Sequence, residues 1–171
     1  MLVLHKMWGL GRVFRWPLVA LSFPVGFAGP GPAVAAESVV IDIRVADHGG
    51  ATRGVFELTR KVAFSAFTLG NPARVVIDLP EVGWRLPARP LPGASGVFRK
   101  LRYGLFKPGN SRVVLDLLSP AAITQTFILG PDGGRRYRLV LDLTPITHEA
   151  FLSQIGARPI RITSAQPVPN P

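Results

Sequence analysis

The sequence predicts an all-β fold, a sandwich of two similar antiparallel sheets built by internal duplication, on three observations. Six segments, at 39–45, 53–58, 74–79, 99–103, 112–117 and 138–143, alternate or run rich in β-branched and large apolar residues. Turn chemistry separates them: Asp47-His48-Gly49-Gly50, Gly70-Asn71-Pro72, Lys107-Pro108-Gly109-Asn110 and Pro131-Asp132-Gly133-Gly134. The segments also recur in order. Arg44, Thr52-Arg53-Gly-Val-Phe-Glu-Leu, Phe67-Thr-Leu-Gly and Arg74-Val-Val-Ile-Asp-Leu match Arg102, Ser111-Arg112-Val-Val-Leu-Asp-Leu, Phe127-Ile-Leu-Gly and Arg138-Leu-Val-Leu-Asp-Leu. Two such units bury their apolar faces by packing together.

Along the chain, residues 1–36 read as an export signal: Lys6, Arg12 and Arg15 without an acid, an apolar stretch from Trp16 to Ala28, and the small-residue site Ala33-Val34-Ala35-Ala36. The apolar stretch is broken by Pro17 and Pro24 and is too short for a spanning helix, which needs roughly 20 residues. Translation from Met1 or from Met7 both give such a signal, and an uncleaved membrane anchor is the alternative. Residues 37–146 form the β domain. Within it, Glu81 to Gly96 is the Pro-rich connection between the halves, with Trp84 tucked onto an end of the core. Thr147 to Ile155 suits one short helix, and the Pro-rich end from Ala165 reads as an extended, disordered linker.

Composition narrows the chemistry. The formal charge is +10, carried by 20 Lys and Arg against 10 acids, and losing the leader leaves a basic chain. An anionic partner follows: nucleic acid, a membrane surface or a wall polymer with carboxylates. The strand aromatics Phe56 and Tyr103 fall on the apolar side, so the stacking platform of an RNA-binding sheet is not expected. There is no Cys, which excludes thiolate catalysis and disulfides. His5, His48 and His148 lack metal-ligand spacing, and the recurring aspartates repeat rather than converge. No catalytic residue, metal or cofactor is expected.

The candidate binding residues are the repeated charges. Residues i, i+2 and i+4 of a strand share a face. Arg53, Val55 and Glu57 therefore oppose Phe56 and Leu58, while Arg74, Val76 and Asp78 oppose Val75, Ile77 and Leu79. The same split sets Arg112 with Asp116 and Arg138 with Asp142 on an outward face. In an antiparallel pairing within one half, Arg53 lies across from Asp78 and Arg74 across from Glu57. These rows are either an ion-pair ladder fixing register, at about 0.2–1 kcal/mol per pair, or a surface of Arg forks and carboxylates for a glycan or peptide. The two are compatible. The candidates are Arg44, Arg53, Arg74, Asp78, Arg102, Arg112, Asp116, Arg138 and Asp142.

From Val39 to Thr144 the chain resembles the AMIN domain of bacterial N-acetylmuramoyl-L-alanine amidases. The resemblance rests on Val-x-x-Ile-Arg44, Thr52-Arg53, Phe67-x-Leu-x-Asn71-Pro72-x-Arg74-Val-Val-Ile-Asp78-Leu-Pro80, Val97-x-x-x-Leu-Arg102, Arg112-Val-Val-Leu-Asp116-Leu and Leu139-Val-Leu-Asp142-Leu. It implies a periplasmic address, peptidoglycan binding and delivery of an amidase to the division septum, with septal divisome proteins as further partners and the membrane met only during export. AMIN-like domains also tether secretins of type IV pili to the wall, and a protein-interaction β-domain is a further alternative. The resemblance places zinc in a separate catalytic domain, whose Ile-Asp-Pro-Gly-His-Gly pattern is not found here. The expectation is a targeting module without hydrolytic activity of its own and without nucleic-acid binding.

Overall fold

The computed structural model describes residues 37–166; the expected export signal and the last five residues lie outside them. The chain runs β1 (Val39–His48), β2 (Ala51–Leu58), β3 (Phe64–Leu69), β4 (Arg74–Pro80), β5 (Gly83–Trp84), β6 (Phe98–Lys107), β7 (Asn110–Leu117), β8 (Ala121–Leu129), β9 (Tyr137–Pro145), α1 (His148–Gln154), β10 (Ile160–Ile162) and β11 (Ala165–Gln166). Two sheets form. Sheet A has the order β11-β8-β9-β2-β1-β5 and sheet B the order β10-β3-β4-β7-β6. All pairings are antiparallel except the short margins β5 on β1 and β11 on β8. The all-β sandwich of two similar sheets is therefore what the chain adopts.

The halves are not divided one per sheet. The first half places its β1–β2 hairpin in sheet A and its β3–β4 hairpin in sheet B; the second places β6–β7 in B and β8–β9 in A. Each sheet is completed by a seam between halves, β2 with β9 and β4 with β7. The four central strands of A, β8-β9-β2-β1, thus correspond in repeat position to β3-β4-β7-β6 of B. One irregularity is shared as well: the register shift at Val40/Asp42 in β1 matches that at Phe98/Lys100 in β6.

Inward residues of both sheets form one core. Phe56, Leu58, Ile77, Leu115, Ile128, Leu139 and Leu141 are fully buried, and burial of such a side chain contributes about 1.5–3 kcal/mol. The alternating burial of β2, with Thr52, Gly54, Phe56 and Leu58 inward, is the period-two pattern of the sequence made physical.

The connection between halves is pinned at both ends by the repeated hydroxyl. Thr52 and Ser111 hold the same place before Arg53 and Arg112. Thr52 Oγ1 accepts from Val97 N at 2.9 Å, and Ser111 Oγ accepts from Val82 N at 3.2 Å. Both hydroxyl residues are buried, as are Val82 and Val97. Gly96, at φ +53, lies so close to Thr52 that a Cβ there would overlap Oγ1. Trp84 packs against the core and stacks on Tyr103, with ring centroids 4.4 Å apart.

The strand pattern does not end at Pro145. Thr147 caps α1 by accepting from Ala150 N at 3.2 Å, and Phe151 is buried. Ile160–Ile162 then adds to β3, and Ala165–Gln166 to β8. Segments of three and two residues are too short to show periodicity, so sequence pattern does not reveal them.

The Thr52 anchor generates a stability prediction. Thr52→Val keeps the shape and removes the acceptor, leaving Val97 N–H buried without a partner. Unfolding in urea should show a loss of about 1–3 kcal/mol. Thr163→Val, at an exposed position, should stay within about 0.5 kcal/mol of the parent.

Candidate binding faces

The outward sides of the two sheets carry three matching rows of residues. On sheet A the register sets Gln125–Asp142–Arg53–Ala46, Phe127–Val140–Val55–Arg44 and Leu129–Arg138–Glu57–Asp42 side by side. On sheet B the same places hold Ser65–Asp78–Arg112–Gly104, Phe67–Val76–Val114–Arg102 and Leu69–Arg74–Asp116–Lys100. The candidates thus separate into two groups: Arg44, Arg53, Arg138 and Asp142 on A, and Arg74, Asp78, Arg102, Arg112 and Asp116 on B.

The first row is a seam clamp. Arg53 donates from Nε and Nη2 to the two Asp142 oxygens, both at 2.7 Å. Arg112 does the same to Asp78, at 2.6 and 2.9 Å. These fork-to-fork pairs are the strong form of the Arg–carboxylate contact. Hydrogen bonding to Asp142 raises the Arg53 pKa, working against burial; Asp78 does the same for Arg112. A pKa raised on folding contributes stability below the unfolded value and loses it only as pH climbs through the folded one. For arginine that window is strongly alkaline, so neither guanidinium titrates near neutrality.

This register corrects the pairing within one half. Arg53 meets Asp142 rather than Asp78, and Arg74 lies opposite Asp116 rather than Glu57. The physical reason is that β2 and β4 belong to different sheets. Their outward charges point away from each other on opposite sides of the core.

Outside the clamps the two faces differ. On A, Arg44 shares Glu57 and Asp42, each at 3.5 Å, and Arg89 also pairs with Asp42. Arg138 faces Glu57 in register, yet its Nε and Nη2 are buried without a hydrogen-bond partner among the described residues. On B, Asp116 accepts from Arg102 at 2.8 Å, with Lys100 Nζ 3.9 Å away. Arg74 turns to the backbone of the Gly70-Asn71-Pro72 turn. Its Nε donates to Pro72 O at 3.1 Å and its Nη2 to Gly70 O at 3.3 Å. Asn71 takes φ +49 there, a region that Asn tolerates better than most residues. The Asn-Pro-x-Arg element is therefore a turn that grips its own arginine.

Several surface residues escaped the sequence reading. Phe67 and Phe127 begin the middle row of each outward face, half-buried, while Phe106 is exposed and covers the Arg112 guanidinium at 3.6 Å. Outward aromatics next to arginines are thus present, contrary to the expectation drawn from Phe56 and Tyr103. The cue was the spacing of Phe64 and Phe67: three positions apart in one strand, they must face opposite sides. Lys100 and Asp42 complete the third rows but differ in charge between halves, so repetition does not single them out; Glu57, outward by period two, holds the place of Asp116. Among the described residues, no three His, Asp or Glu side chains are grouped to hold a metal ion.

Comparison with known proteins agrees with this architecture. The model of the AMIN domain family matches residues 41–135, more than half of the chain. The N-acetylmuramoyl-L-alanine amidase AmiC of Escherichia coli O6:H1 is 32% identical over 117 residues, covering 66% of this chain and 28% of the relative. AmiC of Neisseria meningitidis serogroup B is 35% identical over 98 residues, covering 55% and 23%. The chain spans about a quarter of the length of these curated relatives. With the repeated cassette, the double-sheet register and the family match in agreement, the chain belongs to the AMIN domain family.

Proposed function

We propose that this domain is a periplasmic peptidoglycan-binding module that delivers an N-acetylmuramoyl-L-alanine amidase to the cell wall at the division septum. The observation that carries the reading is the pair of equivalent outward faces, each a row of aromatic and aliphatic residues flanked by arginines and carboxylates. Peptidoglycan matches that surface chemically. Its stem peptides offer carboxylates for Arg forks, and its sugars offer hydroxyls for both charges and apolar ring faces for Phe67, Phe106 and Phe127. Both relatives named above are amidases, which favours this reading over a pilus tether.

The described residues bind rather than hydrolyse on this reading. With or without added zinc, the isolated chain should release no more peptide from purified sacculi than a heat-inactivated sample does. Release above that level refutes a purely targeting role for this segment.

Export supplies a second measurement. The small residues Ala33 to Ala36 suit cleavage just before Ala36 or Glu37. N-terminal sequencing of the periplasmic protein should begin at one of these. A membrane-bound form that retains Met1 or Met7 argues for an anchor instead.

Binding itself is tested on the third rows. Replacing Arg74 and Arg138 together with Gln should weaken retention on sacculi, and raising salt should weaken the parent too, because charges near the surface are screened over about 10 Å at 0.1 M. The Arg74 side chain spends its bonds on a turn and the Arg138 side chain makes none through Nε or Nη2 to a described residue, so the fold should survive. A folded double variant retained as well as the parent overturns the binding role of these rows.

A further inference from the structure

The two faces share a backbone register but not a charge. On sheet B a cleft of about 330 Å³ opens between the β3–β4 turn and β6, lined by Pro72, Arg74, Arg99, Lys100, Arg102 and Asp116 among others. Four cations there surround a single carboxylate. The corresponding ground on sheet A has Arg138, Arg44 and Arg89 against two acids, Glu57 and Asp42. The change lies at two adjacent positions, Ile41 for Arg99 at the register shift and Asp42 for Lys100 just after it. Asp42 in β1 stands where Lys100 stands in β6, each just after the shared register shift and each next to the acid of the third row.

The cations of the B cleft are also arranged to receive a ligand. Arg74 is held by two carbonyls through Nε and Nη2, and no described residue engages its Nη1. Carbonyl partners fix the side chain without neutralising it. Lys100 and Arg102 have well-exposed side chains, and Asp116 gives both a common resting place at the cleft floor. On sheet A, by contrast, Asp42 accepts from Arg89 and from Ile43 N and lies beside Arg44. That charge is already balanced.

We infer that the sheet-B cleft is a carboxylate site for the wall stem peptide, and that its repeat counterpart on sheet A is not. This rests on the wall-binding reading above and adds to it which face takes the peptide and by which group. Arginine forks suit the planar, singly charged carboxylate.

The test uses the full chain and two soluble probes, a disaccharide tetrapeptide with free carboxylates and the same molecule with those groups converted to carboxamides. The parent should bind the free form about tenfold more tightly, the effect of one charge-assisted contact. Lys100→Asp, which installs the sheet-A charge on sheet B, should lower affinity for the free form by about tenfold and remove most of its advantage over the carboxamide. Lys61→Asp makes the same change in net charge at an exposed site in the β2–β3 connection, outside the rows of either face and the lining of the cleft, and should leave the preference intact. Circular dichroism confirms that both variants are folded. Equal affinity of the parent for the two probes overturns the inference, as does equal loss in both variants, which assigns the effect to net charge alone. Inorganic phosphate that displaces the free probe at equal concentration makes the cleft a general anion site and also overturns it. Retention on sacculi separates the two levels: a chain that is retained but indifferent to amidation loses only the cleft assignment, whereas a chain not retained at all loses the wall-binding reading with it.

Discussion

The seams where one half of the chain pairs with the other, β2 with β9 and β4 with β7, hold the remainder of the fold in place. Neither half has a sheet of its own. Each supplies one hairpin to sheet A and one to sheet B, and a hairpin alone is marginal in water. At each seam the same device recurs. An arginine from one half forks onto an aspartate of the other, and the hydroxyl just before that arginine holds the linking segment. Asp142 is almost entirely buried. A buried carboxylate left without its partner is costly, commonly about 3–5 kcal/mol, so the clamp also penalises any register that leaves it unpaired.

This interlocking explains which parts of the structure the sequence discloses. Facing is local: period two places Arg53 and Glu57 opposite Phe56 and Leu58 whatever strand lies alongside. The core and the outward candidates were legible for that reason. Pairing is not local. An Arg-x-x-x-Glu strand and an Arg-x-x-x-Asp strand satisfy each other equally well in one half or between halves, and only the crossing of the chain between sheets at 59–63 and 118–120 decides. That crossing has no period to read. The short strands β5, β10 and β11 were hidden for a related reason, since two or three residues carry no pattern. The outward place of Phe67 follows from the same period two, since Phe64 three positions before it is buried.

The Asn71-Pro72-x-Arg74 element shows how a specific motif acquires physical meaning only in three dimensions. Along the sequence it is a turn followed by a charged strand. In the fold, the turn's carbonyls hold Arg74, so the arginine keeps its full charge instead of sharing it with an acid. The second half has no such turn. Its counterpart between β8 and β9 is longer, running from Gly130 to Arg136, and Arg138 makes no hydrogen bond to a described residue through Nε or Nη2.

These differences bear on whether the charged rows are a register ladder or a binding surface. The first row is the same in both sheets: one Arg, one Asp, with Nε and Nη2 of the arginine spent on the carboxylate. A contact kept in both halves and saturated internally has little left for a ligand, and its role is structural. The third row differs between sheets, in charge at Asp42 and Lys100 and in how Arg74 and Arg138 are held. Duplication begins with two identical faces, so the skeleton needed to fold stays common while the outer charges are free to diverge. If the outward faces bind the wall as proposed, that reasoning gives recognition to the third rows, with the middle-row aromatics beside them, and has Arg53 and Arg112 contribute indirectly, by holding the strands that carry the others in register.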